Sequence, residues 1–160
     1  VAIAGIMGGL DSEIVGDTNA VVLECANFDG VSVRKSSSRL GLRTDASARY
    51  EKMLDPEMTV TAIARFVKLL TDIDSGVKVV SSLTDEYAFK YDDIKIAFNK
   101  AFVNRYAGID IPNDTIVKTL EALGFGVKLD CENFAVDVPS WRATQDVTMK
   151  ADIMGEITRI

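Results

Sequence analysis

Arg34–Lys52 reads RKSSSRLGLRTDASARYEK, and the charge it carries is opposite in sign to that of the chain around it. Between Val31 and Tyr50 stand five basic residues (Arg34, Lys35, Arg39, Arg43 and Arg49) and one acid, Asp45. The whole chain sets 18 Lys and Arg against 24 Asp and Glu, for a formal net charge of −6. A local positive excess inside an acidic protein collects anionic ligands. The hydroxyls of Ser36, Ser37, Ser38, Thr44 and Ser47, with the tight Gly41, suit loops and helix caps, where backbone N–H groups also face anions. Charge runs are most often solvated faces. The stretch is therefore expected to be a solvated loop entering a helix, capped by Asp45 or Ser47. Arg34, Lys35, Arg39 and Arg43 form its candidate anion-binding patch.

Upstream, Val1 to Ile6 is an apolar, β-branched run that reads as a strand delivered into the turn glycines Gly5, Gly8 and Gly9. Glycines there let backbone approach another strand or a ligand. The motif lacks the Lys-Ser/Thr ending of a phosphate-binding loop. Ala20 to Ala26, AVVLECA, reads as a second strand with one carboxylate, Glu24. Glu24 either turns to solvent by period-2 alternation or lies buried with a hydrogen-bond partner. Downstream, Asp55-Pro56-Glu57 starts a helix. Val60, Ile63, Val67 and Leu70 give it one apolar face, expected to pack on a sheet. Val77 to Val80 reads as another strand.

The acidic, aperiodic segment from Leu83 to Asp93 is the expected junction between two units, 1–88 and 91–160. In the second, Ile94 to Phe98 alternates as a strand, and Ala101 to Tyr106 forms a helix closed by Gly108. Pro112-Asn113-Asp114 opens a helix with Ile116, Leu120 and Leu123 on one face and Gly124 just past its end. Phe125–Leu129 and Phe134–Val138 form a hairpin around a polar turn containing Asp130 and Asn133. A last helix starts near Met149 or Lys150. The expected class is α+β: a mixed-sheet half-domain with a packed helix, then a small winged-helix-like module.

Composition excludes several chemistries. There is no histidine among the 160 residues, so a Ser-His-Asp triad, a histidine base and a histidine metal ligand are excluded within this chain. No nucleophile–base pair is legible. Cys25 and Cys131 form no CxxC pair and suit reduced thiols in a cytoplasmic protein. No apolar run approaches the ~20 residues that cross a bilayer, and no signal peptide is evident. The chain lacks an initiator Met and stops within a helical pattern, which is what a piece of a longer protein would show. Asp146, Asp152 and Glu156 are the candidate metal ligands. Residues four apart share a helix face, so Asp152 and Glu156 could address one object, and three oxygen donors without His or Cys suit Mg²⁺. The same spacing also suits surface acids near a helix N-terminus.

Gly5-Ile6-Met7-Gly8-Gly9, Glu24 with Ala26-Asn27-Phe28, Arg43-Thr44-Asp45-Ala46-Ser47 and Arg49-Tyr50-Glu51-Lys52 together resemble the second half of the editing domain of bacterial phenylalanyl-tRNA synthetase beta subunits. Leu123-Gly124-Phe125, Val138-Pro139-Ser140-Trp141-Arg142, and Asp146 through Asp152-Ile153 to Glu156-Ile157 and Arg159-Ile160 resemble the winged-helix-like module that follows it. The resemblance implies an α₂β₂ ligase that uses ATP and Mg²⁺, with its adenylation site in the alpha subunit. It implies partners in that alpha subunit and in tRNA, which makes the patch of Arg34, Lys35, Arg39 and Arg43 an RNA-binding one, and no membrane. It also implies that the editing domain hydrolyses tyrosine wrongly attached to the phenylalanine tRNA. Gly8 and Gly9 would then line the editing pocket, Glu24 would recognise the tyrosine hydroxyl, and Thr44 and Ala46 would form its wall. A buried acceptor paired with a phenol rejects the analogue lacking it. The family's magnesium ligands correspond to Asp146, Asp152 and Glu156; a fourth, usually acidic position is Gly155 here. The upstream half of the family's pocket, which includes a histidine, has no counterpart in this chain. The alternative from another class is a non-catalytic RNA-binding or subunit-docking module.

Overall fold

Short polar side chains that replace missing backbone partners start three of the helices described below, at Asp29, Thr44 and Asn99. The computed structural model describes residues 2–88, 90–144 and 146–159. The chain divides into two units, Val1–Asp85 and Glu86–Ile160, and its class is α+β, helices with antiparallel strands.

In the first unit, β1 (Ala2–Ile3) and β2 (Met7–Gly8) pair antiparallel. The single strand expected over Val1 to Ile6 is thus a hairpin instead (Val1 lies outside the described residues). The chain reverses because Gly5 takes φ 68°, and Ile6 N donates to Ile3 O at 2.9 Å. A Cβ at Gly5 would also come within 2.9 Å of Val33 Cγ2, so packing and backbone handedness both select glycine.

The loop expected at the basic stretch is helical. Helix α1 spans Gly30–Leu40, with Asp29 at its N-cap and Gly41 ending it. Its inward face is Gly30, Val33 and Ser37, so a single apolar side chain marks the helical period. Helix α2 (Asp45–Tyr50) is capped by Thr44, not by Asp45 or Ser47; Ser47 returns the bond as the third residue of a capping box. Asp55 caps a 3₁₀ turn, Pro56–Met58, that leads into α3 (Thr59–Ile73).

The strands expected at residues 20–26 and 77–80 do not form. A strand needs a neighbour's N–H and C=O groups, and no described segment pairs with either one. The α3 face of Ile63, Val67 and Leu70 accordingly packs on no sheet and is only half-buried. Among the described residues of this unit, Ile6 and Val33 are the only buried apolar side chains, whereas Val22 and Val80 are almost fully exposed.

The second unit has a full core. Its sheet runs β3 (Lys95–Asn99), β5 (Asn133–Asp137), β4 (Gly126–Asp130), all antiparallel. Ile96 and Phe98 face inward opposite Val136 and Phe134, and the two phenylalanine rings stack at 5.1 Å. The β4–β5 turn is Cys131-Glu132, and Asp130 and Asn133 are the pair closing it. Helix α4 (Lys100–Ala107) is capped by Asn99 and ended by Gly108; α5 (Asn113–Ala122) buries Ile116 and Leu120. A four-residue helix, α6 (Ser140–Ala143), carries no sequence signal beyond Pro139 before it. Helix α7 (Lys150–Thr158) adds Ile153, Met154 and Ile157 to the core. Among the described residues, no helix is long and apolar enough to cross a membrane.

Candidate functional site

Thr44 joins the two parts of the first unit that the editing resemblance singles out. Its hydroxyl accepts from Ser47 N at 3.1 Å and donates to the carbonyl of the buried Ile6. This bond ties the N-terminus of α2 to the glycine hairpin. Ser47, almost fully buried, returns the cap through Thr44 N at 2.9 Å, and Ser37 Oγ on α1 donates to Leu42 O. Ala46 sits half-buried in the first turn of α2. On the hairpin side, Gly8 and Gly9 border an open cavity of about 490 Å³, shared with Ala2, Ile3, Leu10, Asp11 and Ser12. A Cβ at Gly8 would meet nothing within 4 Å, so Gly8 keeps that side open where Gly5 serves packing. Glu24, Thr44 and Ala46 are not among the residues lining this cavity.

Glu24 is exposed, as the alternation reading had it. It lies in electrostatic reach of Tyr50, whose phenol is pushed above its ordinary value by burial first and then by Cys25 and Glu24. Tyr50 packs edge-on against Phe28 at 4.9 Å.

The basic patch is split by its own pairing. Arg34, Lys35 and Arg39 are exposed on α1. Arg43 instead grips Glu51 with two nitrogens, Nη2–Oε1 at 2.8 Å and Nη1–Oε2 at 3.2 Å. That hydrogen-bonded pair holds the Glu51 carboxyl below the usual carboxylate range, with Lys52 and Arg34 adding to the effect. Glu51 was visible only as part of a motif, since a spacing of eight identifies no partner.

The three acids of the second unit do not converge on one point. Asp152 caps α7: its Oδ2 accepts from Thr148 N and Met149 N, both at 2.9 Å, and these bonds lower its pKa. Asp146 and Glu156 meet, but on Arg142, whose guanidinium reaches Asp146 Oδ2 at 2.8 Å and Glu156 Oε1 at 2.9 Å. Among the described residues, no group of three or more acids, cysteines or histidines is placed to hold a metal ion. The donor set of this chain therefore does not fit Mg²⁺: one acid is spent on a helix end and two on an arginine. Arg142 was visible only as part of a motif; its separation of four from Asp146 was the available hint.

Comparison with known proteins matches the two units separately. The family model of the B3/4 domain matches residues 1–75, and that of the tRNA synthetase B5 domain matches residues 96–160. The chain thus joins a B3/4 domain to a tRNA synthetase B5 domain. Phenylalanine–tRNA ligase beta subunits from Solibacter usitatus and Clostridium tetani are 42% and 37% identical to it, and both alignments take in all of this chain. That of Lactococcus lactis is 38% identical over the same extent. The chain belongs to the phenylalanine–tRNA ligase beta-subunit family. It spans about a fifth of the length of these relatives, 21% of the Solibacter protein and 20% of the other two.

Proposed function

We propose that this chain serves within a phenylalanine–tRNA ligase beta subunit, where its first unit supplies one side of a hydrolytic site that clears tyrosine from the phenylalanine tRNA. The observation that carries this reading is the Thr44–Ile6 bond, which ties the helix start that bears Ala46 to the hairpin that bears Gly8 and Gly9. Such a wall excludes or admits a ring by shape, and the exposed Glu24 carboxylate is the acceptor offered to a phenol. The chain offers no nucleophile–base pair, so its part is to position the ester and its water. The hydrolytic chemistry draws on residues outside the chain. The second unit serves assembly with the alpha subunit, where ATP-dependent adenylation occurs. The exposed Arg34, Lys35 and Arg39 contact tRNA phosphates, and the protein works in the cytoplasm. No step runs through magnesium held by Asp146, Asp152 and Glu156, because those carboxylates are already engaged.

The test uses the full ligase. Ala46→Trp should abolish deacylation of tyrosylated phenylalanine tRNA while phenylalanine attachment continues, and Glu24→Ala should weaken the preference for tyrosine. Undiminished clearance by Ala46→Trp would refute the editing role. It would favour the second reading, a docking and RNA-binding module, which the helical basic face supports.

A further inference from the structure

The disagreement between the acids and a metal has a positive counterpart in the second unit. We propose that Arg142 is the resident cation of this unit: its guanidinium occupies the place between Asp146 and Glu156 that a divalent ion would need. Helix α6 is thereby closed onto α7 without metal, and Mg²⁺ gains a site only when the guanidinium is removed.

The guanidinium engages all four oxygens of the two carboxylates. Nε donates to Asp146 Oδ1 at 3.2 Å and Oδ2 at 3.0 Å, and Nη2 adds Oδ2 at 2.8 Å. Toward α7, Nη2 donates to Glu156 Oε1 at 2.9 Å and Nη1 to Oε2 at 3.4 Å. The planar fork suits this double grip as a lysine ammonium does not. Glu156 is the more buried of the two partners. The Glu156 side chain is 9% exposed and that of Arg142 21%, whereas Asp146 is 54% exposed. A carboxylate buried to that degree needs a charged or hydrogen-bonding partner.

Arg142 is also held in place from below and behind. The Phe125 ring lies under the guanidinium at 5.7 Å, a cation–π contact. Asp146 N and Val147 N both donate to Arg142 O, at 3.2 and 3.3 Å, and buried Val147 anchors that turn in the core. The backbone itself thus sets Asp146 opposite the arginine that it binds. A second cation, Arg159, reaches Glu156 Oε1 at 3.7 Å. Two arginines therefore balance the two acids, and little net negative charge is left to draw a divalent ion. Asp152 keeps its charge but is turned to the start of α7, where its Oδ2 accepts from Thr148 N and Met149 N. Gly155 offers no side-chain oxygen, although a Cβ there would meet nothing within 4 Å. Mg²⁺ sheds water reluctantly and asks for near-octahedral oxygen ligands, so it does not displace a bound guanidinium.

The experiment uses the 160-residue chain with MgCl₂ alone as the probe, read by calorimetric titration and by the thermal midpoint of the Trp141 signal. The unaltered chain should show no saturable heat in millimolar MgCl₂ and no change of midpoint. Arg142→Ala leaves the buried Glu156 with only the exposed Arg159 at 3.7 Å, and should lower the midpoint by several degrees, roughly 5–10 °C. Part of that loss should return with MgCl₂, because the freed carboxylates then bind the ion. Arg142→Lys should melt between the two and show no response to MgCl₂. If Arg142→Ala does not fold, the pair Arg142→Met with Glu156→Gln decides: it removes both buried charges and should melt near the unaltered chain. Saturable Mg²⁺ binding by the unaltered chain that Glu156→Gln abolishes would overturn the proposal. So would a folded Arg142→Ala chain indifferent to MgCl₂, or a double variant that melts as low as the single one.

Discussion

Replacing Thr44 with valine keeps the shape of the side chain and removes one hydroxyl that has two partners. Losing the cap on Ser47 N costs about 1 kcal/mol. Stripping the buried Ile6 carbonyl of its donor costs about 1–3 kcal/mol more. The expected loss is thus about 2–4 kcal/mol, toward the lower end because Thr44 is itself half-buried. Serine keeps both bonds and should lose less than about 1 kcal/mol. Tryptophan fluorescence would follow the wrong unit, since the single Trp, Trp141, lies in the second. Amide hydrogen exchange resolves the first unit directly. The Ser47 amide and the amides of the glycine hairpin should exchange about 30-fold faster or more in Thr44→Val, and close to the unaltered rate in Thr44→Ser. Equal protection in Thr44→Val and the unaltered chain would show that this hydroxyl does not clamp the hairpin. Equal loss in Thr44→Ser would show that the methyl group, not the hydroxyl, was responsible.

Two further outcomes follow from the electrostatics of the first unit. Binding of tRNA should weaken with salt, and neutralising Arg34, Lys35 and Arg39 together should reduce the logarithmic salt slope by roughly 2–3. Arg43→Gln should change it far less, because Glu51 already holds that charge; an equal effect from Arg43 would place the RNA elsewhere. Asp29, at the start of α1, is held below the usual carboxylate range by hydrogen bonding from Ser32, side chain first and then backbone N–H. Its contribution is therefore complete above the unfolded value near about 4 and is lost as pH falls through the lower folded value. Circular dichroism of Asp29→Asn should show a shallower loss of helix on acidification, and an unchanged acid limb would remove Asp29 from that account.

The second unit was legible in its sequence because its signals are local and its core is its own. Pro112 and the glycines at 108 and 124 mark helix ends within a turn of where they act, and the alternation of Ile96 and Phe98 with Phe134 and Val136 states which face is buried. In the first unit α1 escaped notice because its inward face is Gly30, Val33 and Ser37, a helical period written without hydrophobic residues. The apolar segments 20–26 and 77–80 have strand composition, but pairing is a property of two segments, and β-propensity in one cannot supply the other. The acids differ in kind again. Spacing placed Asp152 and Glu156 on one helix, yet it carried no information about what each would face. Only the folded chain, by bringing the Arg142 side chain of α6 to α7, set Glu156 against Arg142 and left Asp152 to the helix end. A charge's partner is fixed by which elements pack beside it, and that packing is non-local.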